Sequence, residues 1–180
     1  MIKTKVINLY GGPGIGKSTT AMNLCGLLKS NHINAELVRE YVKNWIWEER
    51  TILESDQLYI LAKQHRSERI LYGKVNVIVT DSPMWLTTIY EKELSQAPFI
   101  CDLAINKFLK ESEHIAEHYH ILLNRVHPYQ TEGRVQDEEE AKLIDQKIKK
   151  FLIDKGEPFI SIDADKNAEK LISDQLKLIK

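Results

Sequence analysis

Apolar positions along this chain fall into short unbroken runs separated by longer stretches of helical spacing. Lys3-Thr4-Lys5-Val6-Ile7-Asn8-Leu9-Tyr10 reads as a short buried strand, and Ala21, Leu24, Cys25 and Leu28 then recur at helical spacing over about 17–29. The polar Ser30-Asn31-His32 ends that helix, and 33–39 reads as a second strand. Ser55-Asp56 caps a long helix reaching about Tyr72, which Gly73 closes because glycine tolerates a left-handed cap. Residues 75–80 form a third, β-branched strand that stops at Asp81-Ser82-Pro83. Pro98 opens a further helix with Ile100, Leu103, Ala104 and Phe108 on one stripe, and 119–123 is a fourth strand. A helix over 138–154 turns Ala141, Ile144, Ile148, Phe151 and Leu152 inward and ends at Gly156; 158–162 is a fifth strand. Ala168, Leu171, Ile172, Leu176 and Ile179 complete a last amphipathic helix. Apolar strands alternating with helices predict an α/β fold, a parallel sheet with helices on both faces and a ligand site at the carboxyl ends of the strands.

At 180 residues this is one domain, 1–180, large enough to cover a five-stranded sheet. A formal charge of -1 creates no field for a polyanion, so nucleic acid is disfavoured as a partner, short of a local basic groove. Cys25 and Cys101, one on each of two predicted helices, suit free thiols in a reducing cytoplasm. No apolar run approaches the roughly 18 residues of a membrane span, and the opening strand leaves no room for a signal peptide. The sequence leaves room for a homo-oligomer.

The richest chemistry lies between the first strand and the first helix. Gly11-Gly12-Pro13-Gly14-Ile15-Gly16-Lys17-Ser18-Thr19 matches G-x-x-x-x-G-K-[ST], in the strand–loop–helix setting a phosphate loop requires. Glycines let backbone N–H groups turn inward around phosphate oxygens, and the helix N-terminus adds partial positive charge. Residues Gly12 to Thr19 are therefore expected to bind a nucleoside triphosphate, ATP, with Lys17 reaching its β- and γ-phosphates and Ser18 on Mg²⁺. A bare glycine-rich turn is the alternative.

Other candidates follow the strands. Asp81 is placed as a Walker B carboxylate for Mg²⁺ or the acceptor, or as a helix N-cap. Glu40 is placed to take or orient an acceptor's proton, or as a surface glutamate that starts a helix. Trp45, Trp47, Trp85 and Tyr41 gather after the second and third strands, as a stacking platform for a flat acceptor or as core. Arg125 and Arg134 bracket an aperiodic segment, about 125–137, read as a mobile lid with Gly133 as a hinge, or as a solvated loop. His114-Ile115-Ala116-Glu117-His118 matches an inverted zinc-protease motif; here it reads as a polar face of the helix before the fourth strand, remote from the glycine loop.

With these residues the chain resembles the P-loop kinases of nucleosides and nucleotides, particularly the AAA-type kinase domain of NadR-like and Ttd14-like proteins, which includes nicotinamide riboside kinases. Glu40 to Trp45 is similar to the E-x-x-x-x-W element of deoxynucleoside kinases, whose glutamate acts on the 5′-hydroxyl, and Gly133-Arg134 before Glu138-Glu139-Glu140 is similar to their lid. The arginine that would follow the acid in those enzymes is absent at Asp81-Ser82-Pro83, so the acceptor stays open. The resemblance implies a sheet of order 2-3-1-4-5 and transfer of the γ-phosphoryl of ATP to a nucleoside, nicotinamide riboside or nucleoside monophosphate. A polynucleotide 5′-kinase, or an ATPase switch acting through a protein partner, are the competing readings.

Overall fold

The computed structural model describes residues 2–94, 100–129 and 137–179. Strand β1 (Thr4–Tyr10) occupies the middle of a five-stranded sheet, flanked by β3 (Val77–Thr80) and β4 (Ala116–Asn124), with β2 (Ala35–Val38) and β5 (Phe159–Asp163) at the edges. Every pairing is parallel, and the order is β2-β3-β1-β4-β5, the order the resemblance implied. Asn8 pairs in register with Thr80 and Tyr10 with Leu122, so β1 and its neighbours end at one edge. A strand with helices on both faces buries every side chain, which is why these strands read as runs rather than alternations.

Helices α1 (Lys17–Ser30) and α7 (Ala168–Gln175) cover one face, packing Leu24, Leu28 and Ile172 on Ile7, Leu9, Val79 and Ile121. The other face carries Tyr10 and Leu122 under Leu61 of α3 (Asp56–Arg69), Trp85 of α4 (Trp85–Leu94), Ile105 of α5 (Ile100–Ser112) and Ile148 of α6 (Glu138–Lys155). A short helix, α2 (Lys43–Trp47), follows β2. None of the described helices is long and apolar enough to cross a membrane.

Several local expectations shift. Helices α2 and α4 start at Lys43 and Trp85, a few residues beyond Glu40 and Asp81, where the alternative readings would begin them, and Pro98 lies outside the described residues. The buried stripe of α5 is Cys101, Ile105 and Ser112, while Ile100 and Leu103 are 56% and 72% exposed. The helix is set in that phase by Glu91 of α4, whose buried carboxylate accepts from the backbone N–H of Ile100 and Cys101, each at 3.2 Å. Strand β4 begins at Ala116, so Glu117 and His118 lie on a strand while His114 sits in the turn before it. The five residues of the H-x-x-E-H match therefore share no helix face.

Candidate active site

The turn from β1 into α1 is built on backbone conformations that exclude side chains. Gly14 and Gly16 have φ of 75° and 105°, and Gly16 is the left-handed N-cap from which α1 departs. Gly12 is constrained by a close approach instead: a Cβ there would lie 2.6 Å from both the Ala141 carbonyl oxygen and Asp145 Oδ1 on α6. Lys17 folds back over the loop, its Nζ donating to the carbonyls of Gly11 (2.6 Å) and Gly12 (3.0 Å). Ser18 and Thr19 are exposed.

Four charged groups surround that lysine. Burial holds the Lys17 ammonium below its ordinary pKa, Glu40, Asp81 and Asp145 act in the opposite direction, and Arg125 adds to the lowering. Asp81, at the end of β3 and 5% exposed, accepts the backbone N–H of Glu40 through Oδ1 at 2.9 Å. That bond ties the ends of β2 and β3 together. Met84, not Asp81, immediately precedes the first residue of α4. Burial raises the Glu40 carboxyl pKa, Asp81 raises it further, and Lys17 and Lys43 oppose them.

Arg125 lies against the loop. Its Nε donates to Asp145 Oδ2 at 2.9 Å and its Nη2 to the Pro13 carbonyl at 2.8 Å, while Asp145 Oδ1 accepts the Gly12 N–H at 2.5 Å. Gly133 and Arg134 lie outside the described residues.

The aromatic group divides. Tyr41, Trp45 and Tyr59 of α3 form one cluster: Trp45 stacks on Tyr59 at 5.9 Å and 14°, and the hydroxyls of Tyr41 and Tyr59 are 3.2 Å apart. The Arg50 guanidinium lies 3.5 Å from the Trp45 ring centroid, so the indole already has protein partners in a stack and in a cation–π contact. Trp47 is 67% exposed. Trp85 does not join them: at 2% exposure it belongs to the core beneath α6, 5.7 Å from Phe151, with Lys155 Nζ 4.4 Å from its ring. Its bulk sits where α4 packs on the sheet, and burial of that much apolar area outweighs a site at the edge.

A family model described as "AAA domain" matches residues 6–170. The chain belongs to this AAA-domain family. Among curated proteins, none matches the sequence. Solved structures share the fold. Deoxyadenosine kinase from M. mycoides, with products dCMP and dCDP bound, aligns at TM-score 0.63 and 19% identity over 97% of this chain and 100% of its own. NadR protein in complex with NR aligns at TM-score 0.68 and 14% identity over 96% of this chain and 51% of its own. The APS kinase CysC of Mycobacterium tuberculosis aligns at TM-score 0.56 and 12% identity over 99% and 98%.

Two residues that this AAA domain sets against the candidates are not legible in the sequence. Asp145 was hidden inside a helix whose apolar stripe drew the attention; the available signal was a carboxylate on the face of Ala141 and Ile148, which are both buried. Tyr59 had no signal beyond its place on α3, since its contact with Tyr41 and Trp45 spans the whole turn from α2.

Proposed function

We propose that this chain is an ATP-dependent kinase of a small nucleoside-like acceptor: a nucleoside, nicotinamide riboside or a nucleoside monophosphate. The observation that carries the reading is the gathering of Glu40 and Asp81 around Lys17 of the glycine loop, with Asp81 bonded to the Glu40 backbone. A donor grip and two carboxylates at one place are what phosphoryl transfer to a hydroxyl needs. The left-handed glycines and the exposed Ser18 suit ATP·Mg²⁺, with the amides of Gly14 to Thr19 and Lys17 holding the phosphates. Ser18 and Asp81 would hold Mg²⁺, which when bound neutralises charge between the β- and γ-phosphates. A carboxyl with a raised pKa is the stronger base, so Glu40 suits the acceptor's hydroxyl proton. Arg125, and Arg134 from the segment over 125–137, would complete the donor side. On the acceptor side Tyr41 and Trp45 line the approach, but stacking on the inner indole requires Arg50 to move aside. The nucleotide and NR named with two of the structural neighbours support a nucleoside-like acceptor. The site would work in a reducing cytoplasm, where both buried thiols stay free.

Labelled ATP offered with nucleosides, nicotinamide riboside, nucleoside monophosphates and oligonucleotides tests this directly. Transfer to one small acceptor class is the expected outcome. Turnover that ignores every acceptor yet rises with an added protein would replace it with an ATPase switch.

A further inference from the structure

One carboxylate connects α6 to the glycine loop. Asp145 lies two turns into that helix, and its two oxygens take different partners: Oδ1 the Gly12 N–H at 2.5 Å, Oδ2 the Arg125 Nε at 2.9 Å. The same guanidinium donates Nη2 to the Pro13 carbonyl at 2.8 Å. Three hydrogen bonds thus close a ring through loop, arginine and helix. The pair is shielded, with side-chain exposures of 11% for Arg125 and 22% for Asp145, so it is not a solvent-screened surface bridge. The Ala141 carbonyl and Asp145 press so near Gly12 that no side chain fits there, which makes the contact specific to this loop.

One arm of the fork is left over. Arg125 Nη1 is buried and has no hydrogen-bond acceptor among the described residues. Guanidinium is never neutral, so this N–H group cannot shed its proton to relieve the mismatch. A buried charged donor without a partner is unfavourable, and an anionic oxygen placed beside it would be bound strongly.

We propose that Asp145 is a positioning residue of the donor site. It holds Arg125 against the phosphate loop by Nε, while the Pro13 carbonyl holds Nη2, and Nη1 is thereby kept for a phosphate oxygen of the bound nucleotide. The same carboxylate fixes the loop's second residue, so the grip on the nucleotide depends on the seating of α6. This rests on the donor half of the reading above and not on the identity of the acceptor.

Calorimetric titration with ADP and Mg²⁺ tests it on the full chain, for wild type, Asp145→Asn, Arg125→Ala and the double variant. Asparagine keeps an acceptor for Gly12 but turns a donor or a neutral oxygen toward Arg125, and ADP affinity should fall about tenfold. The double variant should bind ADP no more weakly than Arg125→Ala alone, because Asp145 acts through Arg125. In a kinase assay the KM for ATP should rise while that for the acceptor stays unchanged. Unaltered ADP affinity in folded Asp145→Asn, or losses that simply multiply in the double variant, would overturn the proposal. Should Asp145→Asn fail to fold, Arg125→Lys carries the test: it keeps the charge but lacks the fork, and wild-type ADP affinity there overturns the proposal equally. If the coupling appears while no acceptor is phosphorylated, the kinase reading fails and the role of Asp145 stands.

Discussion

Replacing Glu68 by Gln should stabilise this protein increasingly as pH rises from about 4.5 to about 7, and by a constant amount above that. Glu68 is fully buried on α3, where its Oε2 accepts from the Tyr72 hydroxyl at 3.0 Å and its Oε1 lies outside hydrogen-bond range of any donor among the described residues. Burial pushes its pKa up to about 7, with Tyr72 and Gln64 pulling the other way. Among the described residues no positive charge acts on it; Tyr10 of β1 is likewise pushed up by burial, with Glu157 and then Glu68 adding to it. Against the ordinary 4.5, a folded value of about 7 corresponds to about 3 kcal/mol. The folded state binds the proton more tightly than the unfolded chain does. Glu68 therefore contributes its full stability below about pH 4.5, loses it as pH rises to about 7, and contributes no further change above that. His118 complicates the wild-type profile, because burial and His120 push it down to about 4 and its stability is lost as pH falls below 6.5. The two slopes oppose each other, so the wild-type profile alone does not isolate either group. The difference between Glu68→Gln and wild type cancels His118 and isolates the glutamate. Urea unfolding at pH 5 and pH 8.5 should show the variant's relative stability rising by about 3 kcal/mol between the two. A difference that does not move with pH would refute the buried, proton-holding glutamate.

The remaining predictions are shorter. Lys17→Ala should abolish phosphoryl transfer under every reading, whereas Glu40→Gln should lower kcat by about 10²–10⁴ with ADP binding intact; full turnover in Glu40→Gln removes it from the mechanism. Gly12→Ala sets a Cβ 2.6 Å from the Ala141 carbonyl, so α6 must shift, at a cost of about 1–3 kcal/mol. Thermal unfolding with and without ADP should show both a lower Tm and a smaller ADP-induced rise; a wild-type rise would show the loop tolerates the displacement. Cys101, fully buried with its thiol pushed up to about 12 by burial and Glu91, should stay inert to a disulfide reagent at pH 8 until the protein unfolds. Stoichiometric labelling of the native protein would contradict that burial.

What could be read from the chain was what local geometry dictates. A glycine run between an apolar strand and a helix has few structural solutions, and five apolar runs spaced by helices leave few sheet topologies, so the fold was legible almost whole. Placement at strand ends also put Glu40 and Asp81 beside one another, since parallel strands in register deliver their C-terminal residues to one edge. The aromatics were legible only as a group. Which of them cluster together depends on packing across α2, α3 and α6: Trp45 remains with Tyr41, while Trp85 is drawn under Phe151. The stripe of α5 was half legible: Ala104 and Phe108 pack on the core, but Ile100 and Leu103 are exposed, and the inward face is completed by Cys101, Ile105 and Ser112 instead.

The acids on helix faces mark the limit of that kind of reading. Glu68, Glu91 and Asp145 each break an apolar pattern, and a pattern search discards all three as interruptions. Each turns out to answer a different demand of the backbone or the core. Glu91 serves a helix start: its carboxylate accepts the N–H groups of Ile100 and Cys101 in the first turn of α5. Asp145 faces a guanidinium and an amide of the glycine loop, a need created by the approach of α6 to Gly12. Glu68 faces a hydroxyl and an amide and no cation, so it is the one whose proton the fold retains near neutral pH. A buried carboxylate thus declares its role by its partners: an orphan helix end, a charged fork, or neither. For Asp145 the amide partner, Gly12, lies more than a hundred residues away in sequence, and only the folded chain brings the two together.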